Sequence, residues 1–213
     1  MMSETEFQRE SPLPAPVVTG APEINQIADP GPLGLGAFAA TTFYLSMVNA
    51  GWHPAAVAGV FPLALFYGGI AQVLAGMWEF RNNRNTFGAV AFTSYGAFWL
   101  ALWGLFNQVI LKGAIPAAEI GHAVGLFLLA WTIFTFYMWL GSFRLNGALV
   151  GVFTLLFLTF ILLTIGNYYG KSGIVKLGGW TGVITAILAW YTAAAGVVNH
   201  TFKKVVIPVF PIG

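Results

Sequence analysis

Between Arg144 and Lys171 the chain reads Asn146-GALVGVFTLLFLTFILLTIG-Asn167, twenty residues from Gly147 to Gly166 without one ionisable side chain. A helix on the surface of a soluble protein carries charge along its outer face. This one carries none on any face, and a hydrocarbon layer about 30 Å thick asks for about 20 such residues. The segment reads as a membrane span.

The same punctuation holds elsewhere. Between Leu33 and Val198 the charged residues are Glu79, Arg81, Arg84, Lys112, Glu119, Arg144, Lys171 and Lys176, each in a short break between apolar runs. The runs fall at about 33–52, 54–79, 86–111, 119–141, 146–167 and 174–198. Hydrophobic residues make up 58% of the 213 and charged residues 8%, against about a quarter charged in soluble domains. The fold class is therefore an all-α membrane protein with six transmembrane helices in one domain, residues 29–200. Residues 1–28 are expected to be a disordered arm, because four prolines and four glutamates with few aromatics cannot form a core. Residues 201–213 are expected to be a short tail.

Six spans put both termini on one side. That side holds Arg9, Arg81, Arg84, Arg144, Lys203 and Lys204, against Lys112, Lys171 and Lys176 opposite. The excess of basic residues predicts cytoplasmic termini in a multi-pass plasma-membrane protein. No apolar core near Met1 suggests a cleaved signal. Lys203-Lys204 suits a membrane-surface anchor rather than a nucleic-acid patch. The chain has no cysteine, so it offers no disulfide framework and no thiolate ligand or nucleophile. The spans hold no His/Asp/Glu cluster, no metal-ligand spacing and no activated serine. No enzyme, cofactor or metal is expected.

Polar groups inside the spans are neutral and fall at helical spacing. Helix one carries Gly34, Phe38, Thr41, Thr42, Leu45 and Asn49 on one stripe. Helix two carries Gly68, Gln72, Ala75, Gly76 and Glu79; helix three carries Gly88, Ala91, Tyr95, Phe98 and Leu102. Helix five adds Leu156, Thr159, Leu163 and Asn167. For any single threonine the plain reading is an interhelical hydrogen bond. Together the four stripes are expected to line one path through the bundle. Gly121-x-x-x-Gly125, Gly147-x-x-x-Gly151 and Gly178-x-x-x-Gly182 allow close helix packing.

Helix one begins at Asp29-Pro30-Gly31-Pro32-Leu33-Gly34-Leu35. Proline suits a first helical turn, and a helix N-terminus with accessible amides attracts anions. Taken alone, such a segment is more often a plain helix start. Glu79 beside Arg81 and Arg84 reads first as an inner-surface ion pair and second as an exit gate. Glu119 and His122 read as solvated residues of the outer surface.

The Asp29–Leu35 segment resembles the Asn-Pro-Ala-Pro-Leu-Gly-Leu hallmark of the acetate uptake transporter family. A longer block is more specific: Phe66-Tyr67-Gly68-Gly69-Ile70-Ala71-Gln72, then Ala75-Gly76, Glu79 and Asn85-Thr86-Phe87-Gly88, closing with Ala91-Phe92-Thr93-Ser94-Tyr95-Gly96-Ala97-Phe98-Trp99. Ile165-Gly166-Asn167 and Gly179-Trp180 also match, so the resemblance covers about residues 29–210. It implies an amide/urea-channel-like bundle assembled as a homohexamer, each subunit with its own pore for acetate, succinate and related short carboxylates, moving with protons. It also implies a pore constriction of Phe38, Tyr95 and Leu156, with Leu156 and Ala189 setting selectivity. The substrate path would include Asp29–Leu35, Thr41, Thr42, Gln72 and Asn167. Asp29 and Gly31 depart from the family's asparagine and alanine; Asp29 is expected to act as a helix cap. A charge-free neck also suits a passive channel for small neutral solutes such as amides or undissociated acids, and that reading stays open.

Overall fold

The computed structural model describes residues 27–81 and 85–212. Six helices in it are long and apolar enough to cross a membrane: α1 Gly31–Asn49, α2 Pro54–Glu79, α3 Thr86–Ile110, α4 Ala117–Ser142, α5 Gly147–Tyr168 and α6 Ser172–Phe202. Their bounds follow the charge punctuation, except that α6 begins before Lys176, which therefore lies inside the helix and not in a break, and runs four residues beyond the apolar run ending at 198. The arm expected over 1–28 lies outside the described residues apart from Ile27 and Ala28.

Helix ends are set by local chemistry. The Asn85 side chain accepts from the Gly88 amide (3.0 Å) and Asn146 accepts from the Leu149 amide (2.9 Å), satisfying first-turn donors of α3 and α5. After α5 the chain turns at Gly170, whose φ of +63° suits a residue without Cβ. The turn occupies residues 169–171, so α5 and α6 must lie antiparallel and adjacent. They do, and α6 also lies along α1, while α5 packs on α4 and α2 on α3.

Small residues make the tightest of these seams. A Cβ at Gly179 would overlap the Ala50 amide nitrogen, and one at Gly182 would overlap the Ser46 hydroxyl. Backbone contact of this kind replaces the hydrophobic drive that lipid does not supply. Large side chains point outward instead: Phe66, Trp78, Ile133 and Leu177 are all more than half exposed on the bundle's perimeter.

Two helices contain wider-wound stretches. Residues Leu63–Ala71 of α2 and Leu105–Ile110 of α3 are wound as π-helix. The first follows Pro62, which has no amide to donate and whose ring crowds the preceding turn. The Thr41 hydroxyl, 3.5 Å from the Leu63 carbonyl and 3.0 Å from that of Ala37, fills part of the gap between α1 and this widened stretch.

The C-terminal segment is not a loose tail. Asn199 takes the Val206 and Ile207 amides on its carbonyl (2.7 and 2.9 Å) and donates to the Ile207 carbonyl (2.8 Å). The Tyr191 hydroxyl donates to the Pro208 carbonyl. The chain then crosses to α5, where the Phe210 and Val209 carbonyls accept from the Gly147 and Ala148 amides, and the Ile212 amide donates to Leu145. Residues 205–212 thus form a strap over the terminal side of the bundle. An isolated bridge between Asn146 and Pro211 is the described residues' one β pairing.

Candidate functional site

Two cavities lie end to end inside the bundle. One of about 510 Å³ occupies the side where both termini lie and is walled by α1, α2, α3, α5, α6 and the strap. The other, about 100 Å³, lies toward the opposite side and is bounded by Asn49, Phe106, Val124 and Asn167. Phe38 and Leu156 line both. They are the partition between the chambers, 5% and 3% exposed.

Tyr95 completes the partition from the terminal side. Its ring centroid lies 5.7 Å from that of Phe38 at a tilt of 56°, and Phe134 meets it edge-on at 5.1 Å. Its hydroxyl sits 3.0 Å from the Thr135 hydroxyl on α4, a buried pair. The tyrosine's polar atom is therefore committed to the neighbouring helix. Of the three residues expected at a constriction, Phe38 and Tyr95 are in ring contact, and all three line the larger cavity.

The mouth of the larger cavity collects charged and amide groups. Asp29, Glu79, Asn85, Arg144 and Asn199 all contribute to its wall. Asp29, just ahead of Pro30, which occupies the N-cap position of α1, accepts on Oδ1 from the Gly31 amide at 2.9 Å. That bond takes one of the amides at the start of α1 with the chain's own carboxylate, and the first amides of α5 are taken by the strap. Glu79 is also not a surface residue. It is 1% exposed and accepts from Asn85 Nδ2 at 2.9 Å, whereas Arg81 is exposed and Arg84 lies outside the described residues. The carboxylate oxygens of Asp29 and Glu79 lie 3.0 and 3.6 Å from the point a Gly31 Cβ would occupy. Both acids thus flank one glycine in the cavity wall, and a Cβ there would press on the Asp29 carboxylate.

The smaller cavity is lined by Thr42, Ser46, Thr159, Asn167 and the aromatic and aliphatic side chains of α3, α4 and α5. Thr159 is satisfied through the Leu155 carbonyl (2.8 Å) and the Thr181 hydroxyl (3.0 Å), and Asn167 donates to the Leu163 carbonyl (2.8 Å). Thr42 Oγ1 and Trp99 Nε1 are buried without a partner in the protein, as is Gln72 Oε1 in the larger cavity. A buried polar atom left in that state costs about 1–3 kcal/mol.

Not every residue expected on the path lies on it. Asp29, Gly31, Pro32, Leu35, Phe38, Gln72, Tyr95 and Leu156 line the larger cavity; Thr42 and Asn167 line the smaller. Pro30, Leu33, Gly34, Thr41 and Ala189 line neither. Gly34 is pressed against the Phe92 ring, Thr41 bonds to carbonyls, and Ala189 is fully buried in the packed core of α6. Thr192, three residues further along α6, reaches the larger cavity instead. Trp99, Arg144, Asn199 and Val209 were not anticipated. Trp99 sits beside Phe98 of the α3 stripe, and its indole N–H was the signal available. Outside the cavities, the His122 Nδ1–Glu119 Oε2 contact of 3.0 Å is a solvated pair, with side chains 49% and 58% exposed. Pairs of that kind contribute little.

A six-helix membrane bundle with two opposed chambers closed by an apolar partition defines a solute-permeation protein. The chain belongs to the GPR1/FUN34/yaaH family, whose model matches residues 15–213. The succinate-acetate/proton symporter SatP of Escherichia coli K12 is 38% identical over 186 residues, 87% of this chain and 96% of that protein. Acetate permease A of Emericella nidulans is 40% identical over 208 residues, 88% of this chain and 67% of its own length. The structure of the bacterial acetate channel SatP superposes with a TM-score of 0.80 at 39% identity, covering 86% of this chain and 99% of that one.

Proposed function

We propose that this chain conducts acetate and related short mono- and dicarboxylates, succinate included, across the plasma membrane, with a proton travelling with the substrate. The observation that carries the proposal is the sharing of Phe38 and Leu156 by both cavities. Bringing a carboxylate from water into a low-dielectric medium costs on the order of 20 kcal/mol in the ideal case. No lysine or arginine among the described residues lines the partition to offset that cost. The undissociated acid crosses such a collar far more readily than its anion. Hydroxyl and amide groups in the chambers hold the solute on either side, and protonation occurs before the crossing.

In this reading the termini and the larger cavity face the cytoplasm, as the excess of basic residues on that side suggests. The exposed apolar faces of α2, α4 and α6 meet lipid and neighbouring copies in a homohexamer. Purified protein in vesicles tests the transport itself: labelled acetate should enter, and the interior should acidify in step. Uptake that carries net negative charge and no proton would remove the coupling. The uncharged partition also favours a second reading, a passive pore for neutral solutes. Faster entry of labelled urea than of acetate into the same vesicles would select it.

A further inference from the structure

We propose that the strap, residues 205–212, forms with Lys203, Lys204 and Arg144 a docking surface for anionic phospholipids of the leaflet on the terminal side. The proposal stands apart from the transport reading and would hold for a pore of either kind.

The strap has two faces. Ile207 and Val209 turn inward, half-buried, and Val209 reaches the wall of the larger cavity. Val205 and Phe210 turn outward, 76% and 61% exposed. The strap's backbone is held at the end of α6 and the start of α5, where two spans leave the hydrocarbon. An exposed apolar strip marks contact with a membrane or with another protein. The charge around it decides which.

Lys203 and Lys204 open the segment. Lys203 takes a φ of +56°, which ends α6 and turns the chain back toward α5. Arg144 lies at the far end, next to Leu145, whose carbonyl holds the Ile212 amide. All three cations are exposed, and none enters an ion pair among the described residues. The sequence around them supplies no acid, because no aspartate or glutamate follows Glu119. On the terminal side the described carboxylates are Asp29, bonded to the Gly31 amide, and Glu79, buried and bonded to Asn85. Cations at both ends of an apolar strip match a lipid surface, with phosphates for the lysines and acyl chains for the valine and phenylalanine. A second copy meeting this surface with its own strap would bring like charges together.

The chain has no cysteine, so a single nitroxide can be placed on the strap. Val205→Cys and Phe210→Cys, labelled and reconstituted in vesicles of phosphatidylcholine mixed with phosphatidylglycerol, read its depth. Dissolved oxygen should relax either label more than a water-soluble nickel chelate does. A label relaxed mainly by the chelate, or one shielded from both reagents by a neighbouring copy, overturns the docking. Titrating the detergent-solubilised protein with short-chain phosphatidylglycerol or phosphatidylcholine, followed by thermophoresis, reads the charge contact. In Lys203→Asn/Lys204→Gln the asparagine tolerates the left-handed backbone. That variant should bind phosphatidylglycerol more weakly by about fivefold for each lysine removed, while phosphatidylcholine binding changes less than about twofold. Equal loss for both lipids, or no loss for phosphatidylglycerol, overturns the headgroup contact. If the variant fails to assemble, wild type at high salt carries the same comparison, because screening weakens the contact with the anionic lipid alone. Phosphatidylglycerol binding unmoved by salt overturns the proposal.

Discussion

The Tyr95 hydroxyl reaches sideways to the Thr135 hydroxyl on α4, 3.0 Å away, so the proposed constriction would draw on the tyrosine's ring and not on its polarity. Removing the oxygen should accordingly alter stability more than transport. In Tyr95→Phe, acetate flux is expected to stay within about twofold of wild type. Thermal stability in detergent should fall by about 1 kcal/mol, the scale of one buried hydrogen bond. Vesicle flux and a melting curve on one preparation check both halves. A large loss of flux without destabilisation would mean that the hydroxyl meets the solute.

Leu156 is the side chain whose truncation should most directly widen the partition, since it faces both chambers. Leu156→Ala is expected to raise the flux of succinate or butyrate relative to acetate several-fold. A buried leucine cut to alanine also costs about 2–5 kcal/mol in stability, so relative rather than absolute flux is the measurement that matters. An unchanged ratio would remove Leu156 from the filter.

Gly179 has no such latitude. Its missing Cβ is occupied by the backbone of Ala50, which cannot rotate aside as a side chain would. Gly179→Leu should separate α6 from α1 and lower the yield of folded protein, read by size-exclusion profile after detergent extraction. The same substitution at Gly173, where a Cβ would meet nothing within 4 Å, serves as the matched control and should leave the profile intact.

Asn199 holds the strap through three hydrogen bonds to Val206 and Ile207. Asn199→Ala should release residues 205–212 and, with them, the carbonyls that cover the Gly147 and Ala148 amides. Hydrogen exchange at those two amides is expected to accelerate at least tenfold, while exchange in the middle of α5 is unchanged. Slow exchange at Gly147 in the variant would mean that the strap holds without its asparagine.

The six spans were legible because lipid imposes one rule, continuous apolarity for about twenty residues, and charge marks its ends. The buried stripes were legible because side chains repeat along a helix with a fixed period, and Phe38, Tyr95 and Leu156 lay on three of them. Thr41 and Thr42 show the limit of that logic. Adjacent on the stripe, they differ in the structure: one hydroxyl is bound to Ala37 and Leu63 carbonyls, the other faces no protein partner. A period of 3.6 cannot separate neighbours by what the next helix brings. The π-wound stretch of α2 was hidden for a related reason, since the same residues support either winding and only Pro62 hinted at a disturbance. Ala189 was expected to set selectivity by resemblance alone, and in the structure it is fully buried in α6 and lines neither chamber. The strap was missed because its bonds are backbone carbonyls and amides joined to a distant asparagine, and these leave no pattern in composition.

Because residues 205–212 are laid across the rim, with Val209 in the chamber wall and Ile212 bonded to Leu145, anything continuing past that point starts beside the opening. A purification handle or fluorescent reporter fused there would hang over the aperture as a partial cork. Flux assays on such fusions would understate conductance, and cleaving the fusion before reconstitution should restore it.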